Sequence, residues 1–535
     1  MTEPPAPHDC DPKIWKEACS CARMELMVDA LRHTAQAHLH EIMFSHSCEE
    51  VSRHPIYQQA LEAVRADNAR WERERRAQRE LEAQWAALRR ARLNPAHERA
   101  WLREDTGSVL GHQRLQLPVG QGGFHVGALK KLDMSETSWR QAVERGVLED
   151  ADFVYVYDCG SIPLDGVKEE IRRLTAQLSN RKLDMLFVSH FDVDHISGIP
   201  HLLNKKSGLQ VDTVVMPYLE DLDRLISFAR TADMQSDADD FHEDLVVDPV
   251  AAMQRFEPRQ IVLVAPSGEE GLPSERGLPS DPPRSGPGSA PWKARKDPHW
   301  RHGAAIQKMN DESLLLKDCD FDVMADGLTG WRLKPYVRPA EASARDAFAL
   351  AVEVLLEWKR GSLASKIGDP SELRTMVTTH RQKVARAYKF AFANKNGTSL
   401  SLYSGPASPD RAGAVCWNLP DYRAARVGWL GTGDADLRNP REVSRFAHHF
   451  SDELPSVSSF VLPHHGSIEN YDPDNHVSRL DADVWITAAR PVHDKWEHPH
   501  PKIVESVEAA GHVFKNVGRR PDPPVDERAV VFWSA

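Results

Sequence analysis

Several things are scarce in this chain, and each scarcity excludes something. Among 535 residues there are only seven cysteines. An odd, unevenly spread set argues against a disulfide framework and suits a reducing cytoplasm. Long apolar runs are missing too. Stretches such as AFALAVEVLLEW (347–358) fall short of the ~20 residues that a membrane-spanning helix needs. No apolar segment follows a basic start at the N-terminus, so no secretory leader is expected. Positive charge is in deficit: 67 Lys and Arg against 79 Asp and Glu leave a net charge of −12. That balance excludes a globally basic nucleic-acid coat, while leaving room for a local basic groove. With 41% hydrophobic and 27% charged residues, the composition is that of a soluble protein.

Residues 1–105 read as a separate helical, coiled-coil-like region. From Tyr57 to Leu93 there is neither Gly nor Pro, and Glu alternates with Arg. Leu61 and Val64, and then Leu81, Trp85 and Leu88, fall at helical spacings, and Asn94–Pro95 ends the pattern. A helix charged in this way pairs with another helix, in the same chain or in a protein partner, or packs as a solvated arm. Its arginines between Arg65 and Arg103 could touch phosphates, though interleaved glutamates oppose this. Cys10, Cys19, Cys21 and Cys48 lie near His33, His38, His40 and His46. They lack the usual two-to-four-residue cysteine spacing, so a zinc knot there is a weak reading.

Residues 106–535 read as an α/β body. RLQLPVGQGGFHVGAL suggests strand, glycine turn, strand. DFVYVYDCGS is an apolar run ending in Asp158. KEEIRRLTAQLSN places Ile171, Leu174 and Leu178 on one helical face, and KLDMLFVSH is the next strand. Such alternation implies layers of helix on sheet. A Pro/Gly/Ser-rich insertion at about 265–300 has linker composition. Helices are expected at Glu341–Arg360 and Pro370–Asn394. Further strands are expected at NGTSLSLYSG, VGWLGTGDADL, SSFVLPHHGS and DADVWITAAR.

Polar clusters follow these apolar runs. SHFDVDHISGIP sets His190, Asp192, Asp194 and His195 within six positions of a strand end. Buried charges are costly unless they are paired or bind a cation. His190 and Asp192 are two apart on an extended chain, so their side chains share a face. Asp194 and His195 follow where a loop enters a helix, so that all four can line one volume or two adjacent ones. Asp434, and His464 or His465, stand at two further strand ends. An isolated Asp-His pair is commonly a surface feature, and Asp194 could instead cap a helix starting at His195. The joint, ordered occurrence of these clusters favours a divalent-metal centre.

HFDVDH resembles the H-x-H-x-D-H signature of the metallo-β-lactamase fold, with Asp192 where a second histidine is usual. The H-x-D-x-D-H variant is similar to the hydrolase domain of the bacterial competence DNA-uptake channel family. VGQG, YDCGS, NGTSLSL, GTGD, LPHHGS and WEHPHP resemble that family's motifs in the same order. They cover residues 113–535 apart from the middle insertion. The resemblance implies a metallo-β-lactamase αββα sandwich and two divalent ions, zinc or manganese. His190 and Asp192 would hold the first ion. Asp194, His195 and one of His464 or His465 would hold the second, and Asp434 would bridge them. Asp158 and Asn396 would support the ligands, with Asn396 standing where many relatives carry a further histidine. Asp194 and His498 would serve catalysis, His498 and the remaining histidine of the pair by donating to substrate or leaving group. Ions ~3.5–4 Å apart would activate a shared water. The family's acids flanking the glycine turn are gone in LPVGQGGF, and its membrane helices are absent, which excludes transport.

The first expectation is therefore a metal-dependent phosphodiesterase or nuclease, with Lys205, Lys206, Arg381 and Lys383 as candidate groove residues. A small-molecule ester, lactone or thioester hydrolase is the alternative. A partner-binding effector subunit docked through the N-terminal helices is a third. No membrane association is expected.

Overall fold

The computed structural model describes residues 106–534 with internal breaks, the longest at 267–298. The expected N-terminal helices and their cysteines, the insertion's core, Lys205, Lys206 and Asn396 all lie outside the described residues. The architecture is mixed α/β, with two mixed sheets and flanking helices. In chain order the strands are β1 (Thr106–Gln116), β2 (His125–Leu132), β3 (Phe153–Tyr157), β4 (Lys182–Phe187), β5 (Gln210–Pro217) and β6 (Gln260–Val264). Next come β7 (His299–His302), β8 (Ile306–Lys308), β9 (Ser313–Leu316), β10 (Phe321–Ala325), β11 (Leu328–Val337) and β12 (Leu400–Pro406). The last are β13 (Ala412–Trp417), β14 (Gly428–Gly431), β15 (Val457–Val461), β16 (Val484–Thr487), β17 (Val513–Asn516) and β18 (Val525–Ser534).

One sheet runs β13-β18-β1-β2-β3-β4-β5-β6-β9-β8 and the other β17-β16-β15-β14-β12-β11-β10-β7. In the first, β3, β4, β5, β6 and β9 are parallel neighbours. In the second, β14 to β17 are parallel while β12 joins β14 antiparallel. Side chains alternate across β3 as a strand covered on both faces requires. Phe153, Tyr155 and Tyr157 join Phe187, Trp331, Leu333, Leu402 and Trp429 in a core shared by both sheets. Val154 and Val156 point the other way, onto Val167, Ile171 and Leu174 of the Asp165–Gln177 helix. The outer face of the second sheet packs Tyr403, Phe460 and Trp485 against Phe446, Ile503 and Val507 of two further helices. Arg114 on β1 ties the sheets together. It pairs with Glu527 and donates to Val427 O (2.7 Å) and Ser458 Oγ (3.0 Å), which satisfies a buried charge.

A helical module stands beside this body with a core of its own, including Phe228, Phe348, Val352, Met376, Val384 and Tyr388. Its helices include Asp221–Thr231, Ala342–Leu355, Pro370–Thr378 and Arg381–Phe392. The single helix expected over Pro370–Asn394 is thus two. Asp369 caps the first through Ser371 N, and Thr379–His380 separates it from the second. Among the described residues, no helix is long and apolar enough to cross a membrane.

Candidate metal centre

The cluster forms where strands of both sheets end. Asp158 follows β3 and the Ser189–His195 loop follows β4. Asp434 follows β14, and His464–His465 follow β15. Carboxyl ends of parallel strands are where α/β sheets gather ligand groups, because the chain leaves there in irregular loops. Glycines let these loops interlock. A Cβ at Gly122 would sit 2.3 Å from Gly160 O and 2.7 Å from Asp194 O, and the residue's φ is +155°. Gly123 N donates to Asp194 O (3.2 Å) and Gly160 N to Gly123 O (2.9 Å), locking the VGQGG turn onto the DVDH segment.

Asp158 is fully buried with φ +57°. Its Oδ1 accepts from Ser189 N (2.7 Å), and its Oδ2 accepts from Ser189 Oγ (2.7 Å) and His195 Nδ1 (2.8 Å). That fixes the His195 ring and turns Nε2 towards Asp434 Oδ1, 3.3 Å away. His190 is held likewise. Its Nδ1 meets Ser189 Oγ (2.8 Å), and its Nε2 lies 3.4 Å from Asp434 Oδ2 and 3.8 Å from Asp192 Oδ2. His465 Nδ1 donates to Ala488 O (2.8 Å), so its Nε2 faces Asp194 Oδ2 at 3.0 Å. His190, His195 and Asp434 form one group with converging ligand atoms, and Asp194, His195 and His465 form another. The Nε2 atoms of His190 and His195 are buried without a hydrogen bond among the described residues. Each ring's other nitrogen is engaged, as metal-binding imidazoles are when a neighbour fixes the tautomer. On these donors, the residues fit a divalent cation.

The two histidines of the pair, which the sequence left open, are oriented differently. His465 joins a converging group. His464 Nδ1 is engaged by Asn470 Oδ1 (2.7 Å), and its Nε2 stands 3.8 Å from Asp434 Oδ2. Both histidines have positive φ, +46° and +57°, a strained conformation for these residues that the surrounding contacts maintain. Asn470 Nδ2 donates to Asp434 O (3.1 Å), and Asp434 N donates to Ser399 Oγ (3.1 Å). The NGTSLSL segment therefore contributes through Ser399. The helix after the loop starts at Val193, earlier than the alternative capping role for Asp194 requires. Asp192 occupies its cap position, but the carboxylate makes no capping bond and is directed into the cluster.

The electrostatics follow from enclosure. Burial, with His195 adding to it, pushes His190 down to about 4. Burial opposes the charged form of His195 as well, but Asp158, Asp194 and Asp434 outweigh it and raise the imidazole well above its usual 6.5. Burial works against the Asp434 carboxylate, yet His464, His190 and His195 hold it well below its usual range. Asp194 is lowered to about 2 against its burial by His195 and His465. His498 is depressed to about 3 by burial and by the neighbouring His464 and His465. Its Nδ1 lies 3.3 Å from Gln121 Nε2, and its ring centroid is 5.2 Å from that of His464.

Arg230 carried no sequence signal for this site. It comes from the helical module, contacts Asp192 Oδ2 and donates to Asp434 Oδ2 (3.1 Å). Of the candidate groove residues, Arg381 is engaged in the module, donating to Ala232 O (2.6 Å) and lying over the Phe228 ring. Lys383 is exposed. Two cavities of about 30 Å³ flank the cluster, one against His190, Asp192, Arg230 and Tyr388, the other against Gly123, His125, Asp158 and His195. Each suits about one water-sized group. No family model matches the chain, and no curated protein matches it.

Proposed function

We propose that this chain is a metal-dependent hydrolase with the metallo-β-lactamase αββα layering, and that it cleaves phosphodiester bonds in nucleic acid. The carrying observation is the convergence of imidazole and carboxylate atoms from both sheets, with two buried Nε2 atoms facing Asp434 and each ring fixed through its Nδ1. The inter-sheet core with helices against both outer faces supports the layering. Asp194, His195, His465 and Asp434 are the residues best placed to hold a divalent ion. Such an ion, when bound, supplies Lewis-acid activation of water and of a phosphoryl oxygen.

The chain's own residues provide the rest. Asp158 keeps His195 in the tautomer with Nε2 free. Ser399 and Asn470 fix the backbone of Asp434. His498 is held neutral with Nδ1 against the Gln121 amide, so its Nε2–H can donate a hydrogen bond to a substrate oxygen. That is the substrate-donor role, one of the two that the sequence offered for His498. A nucleic-acid substrate is supported by the Arg381–Phe392 helix, which also lines the cluster's cavity through Tyr388 and Phe392. Lys383, Arg386 and Phe390 lie at i, i+3 and i+7 and are exposed, Phe390 by 86%. Cations interleaved with an open aromatic ring suit a phosphate backbone and its bases.

The test pairs metal analysis of the full chain with assays on single-stranded DNA, duplex DNA, RNA and bis(p-nitrophenyl) phosphate, with Mn²⁺ or Zn²⁺ supplied. Turnover that Asp434→Ala and His190→Ala abolish in folded protein is expected. Lys383→Glu with Arg386→Glu should raise KM for the polymer and leave the small diester unaffected. Full activity of Asp434→Ala would overturn the reading. Equal losses on both substrates in the double variant would remove the polymer.

A further inference from the structure

Arg230 stands where a second cation of a two-ion centre would need its ligands. Its Nη2 contacts Asp192 Oδ2 and lies 3.1 Å from Asp434 Oδ2. Those are the carboxylate oxygens that His190 Nε2 faces, at 3.8 and 3.4 Å. A zinc or manganese ion sits only ~2.0–2.2 Å from a carboxylate oxygen. An ion held by His190, Asp192 and Asp434 would therefore share its oxygens with a permanently charged guanidinium. The guanidinium has little freedom to withdraw. Its side chain is only 13% exposed, and the cavity wall around it includes Ser227, Tyr388 and Phe392.

Building on the metal-hydrolase reading, we propose that Arg230 holds the first cation position. The centre then takes a single divalent ion, in the group of Asp194, His195 and His465 beside Asp434, and the helical module delivers the second positive charge. Held there, the guanidinium can present its remaining N–H donors to a phosphodiester oxygen with a directionality that a spherical ion lacks. Arg230 is thus a positioning and specificity residue for an anionic substrate, and Asp192 and Asp434 hold it.

The test loads the full chain with excess Mn²⁺, removes unbound ion, and measures manganese per chain alongside the electron paramagnetic resonance spectrum. Manganese is chosen because the cysteines near the N-terminus would compete for zinc. The wild type should hold one ion with an uncoupled spectrum. Arg230→Ala should take up a second ion and show an exchange-coupled pair, and Arg230→Lys should stay at one. Two coupled ions in the wild type would overturn the proposal while leaving the metal reading intact. One ion in both wild type and Arg230→Ala would also overturn it, since the guanidinium would then exclude nothing. No bound ion in any form would defeat the metal reading itself.

Discussion

Replacing Asp158 by Asn tests how the ligand rings are held. The carboxylate accepts from Ser189 N, Ser189 Oγ and His195 Nδ1 at 2.7, 2.7 and 2.8 Å. An amide keeps one oxygen, which can still accept from Ser189 N. Its nitrogen then faces His195 Nδ1 where Oδ2 stood. An NH₂ group cannot accept a hydrogen bond, so the ring either loses this contact or moves its proton to Nε2, the atom needed for metal. Losing a buried hydrogen bond to a charged group costs about 1.5–3 kcal/mol. Partners that orient metal-binding histidines are worth roughly 10–100-fold in affinity or activity, or about 1.4–2.8 kcal/mol at 1.4 per tenfold. Asp158→Asn should therefore weaken Mn²⁺ or Zn²⁺ binding by about 10–100-fold in isothermal titration calorimetry. Thermal unfolding in chelator checks that the fold survives. Ser189→Ala is the milder companion, since it removes the hydroxyl shared by Asp158 and His190 but leaves the carboxylate on His195. Wild-type metal affinity in a folded Asp158→Asn protein would refute the reasoning.

Three other outcomes are expected. His465→Ala should lose the ion, because its Nε2 faces Asp194 at 3.0 Å, whereas His464→Ala should keep the ion and lower turnover; metal retention after gel filtration distinguishes them, and the reverse pattern would reassign the pair. Gly433→Ala should destabilise by about 1–3 kcal/mol in urea unfolding, since φ is +52° and a Cβ would lie 2.4 Å from Ser399 Oγ and 2.7 Å from Ser189 Cβ; an unchanged midpoint would contradict this. Metal affinity should rise with pH through neutrality, because the ion must displace a proton from His195, whose pKa is raised, while His190, pushed down to about 4, has none to lose there. Calorimetry in buffers of different ionisation enthalpy should show about one proton released per ion, and a pH-independent affinity would count against this ionisation pattern.

The sequence carried much of the cluster and little of what surrounds it. His190, Asp192, Asp194, His195, Asp434 and the His464–His465 pair were legible because each follows an apolar run at a strand end, and period-two spacing set His190 and Asp192 on one face. Asp158 was picked out only by the family resemblance of YDCGS, and its carboxylate lies on His195 Nδ1. Orientation was not legible: which of two adjacent histidines turns inward depends on Asn470 and Ala488 O, and neither belongs to the motif. Arg230 was hidden for a stronger reason. It sits on an amphipathic helix whose apolar residues pack in the module, and its reach to Asp192 exists only once that module is placed.

The central claim is that imidazoles and carboxylates from two sheets hold a catalytic divalent cation. Anomalous diffraction from crystals grown with Mn²⁺ tests it most directly. The account predicts a peak within about 2.3 Å of His195 Nε2 and of a carboxylate oxygen of Asp194 or Asp434, absent in Asp434→Ala crystals. A fully loaded protein with its manganese elsewhere, and the His195 and Asp434 side chains meeting without density between them, would contradict it.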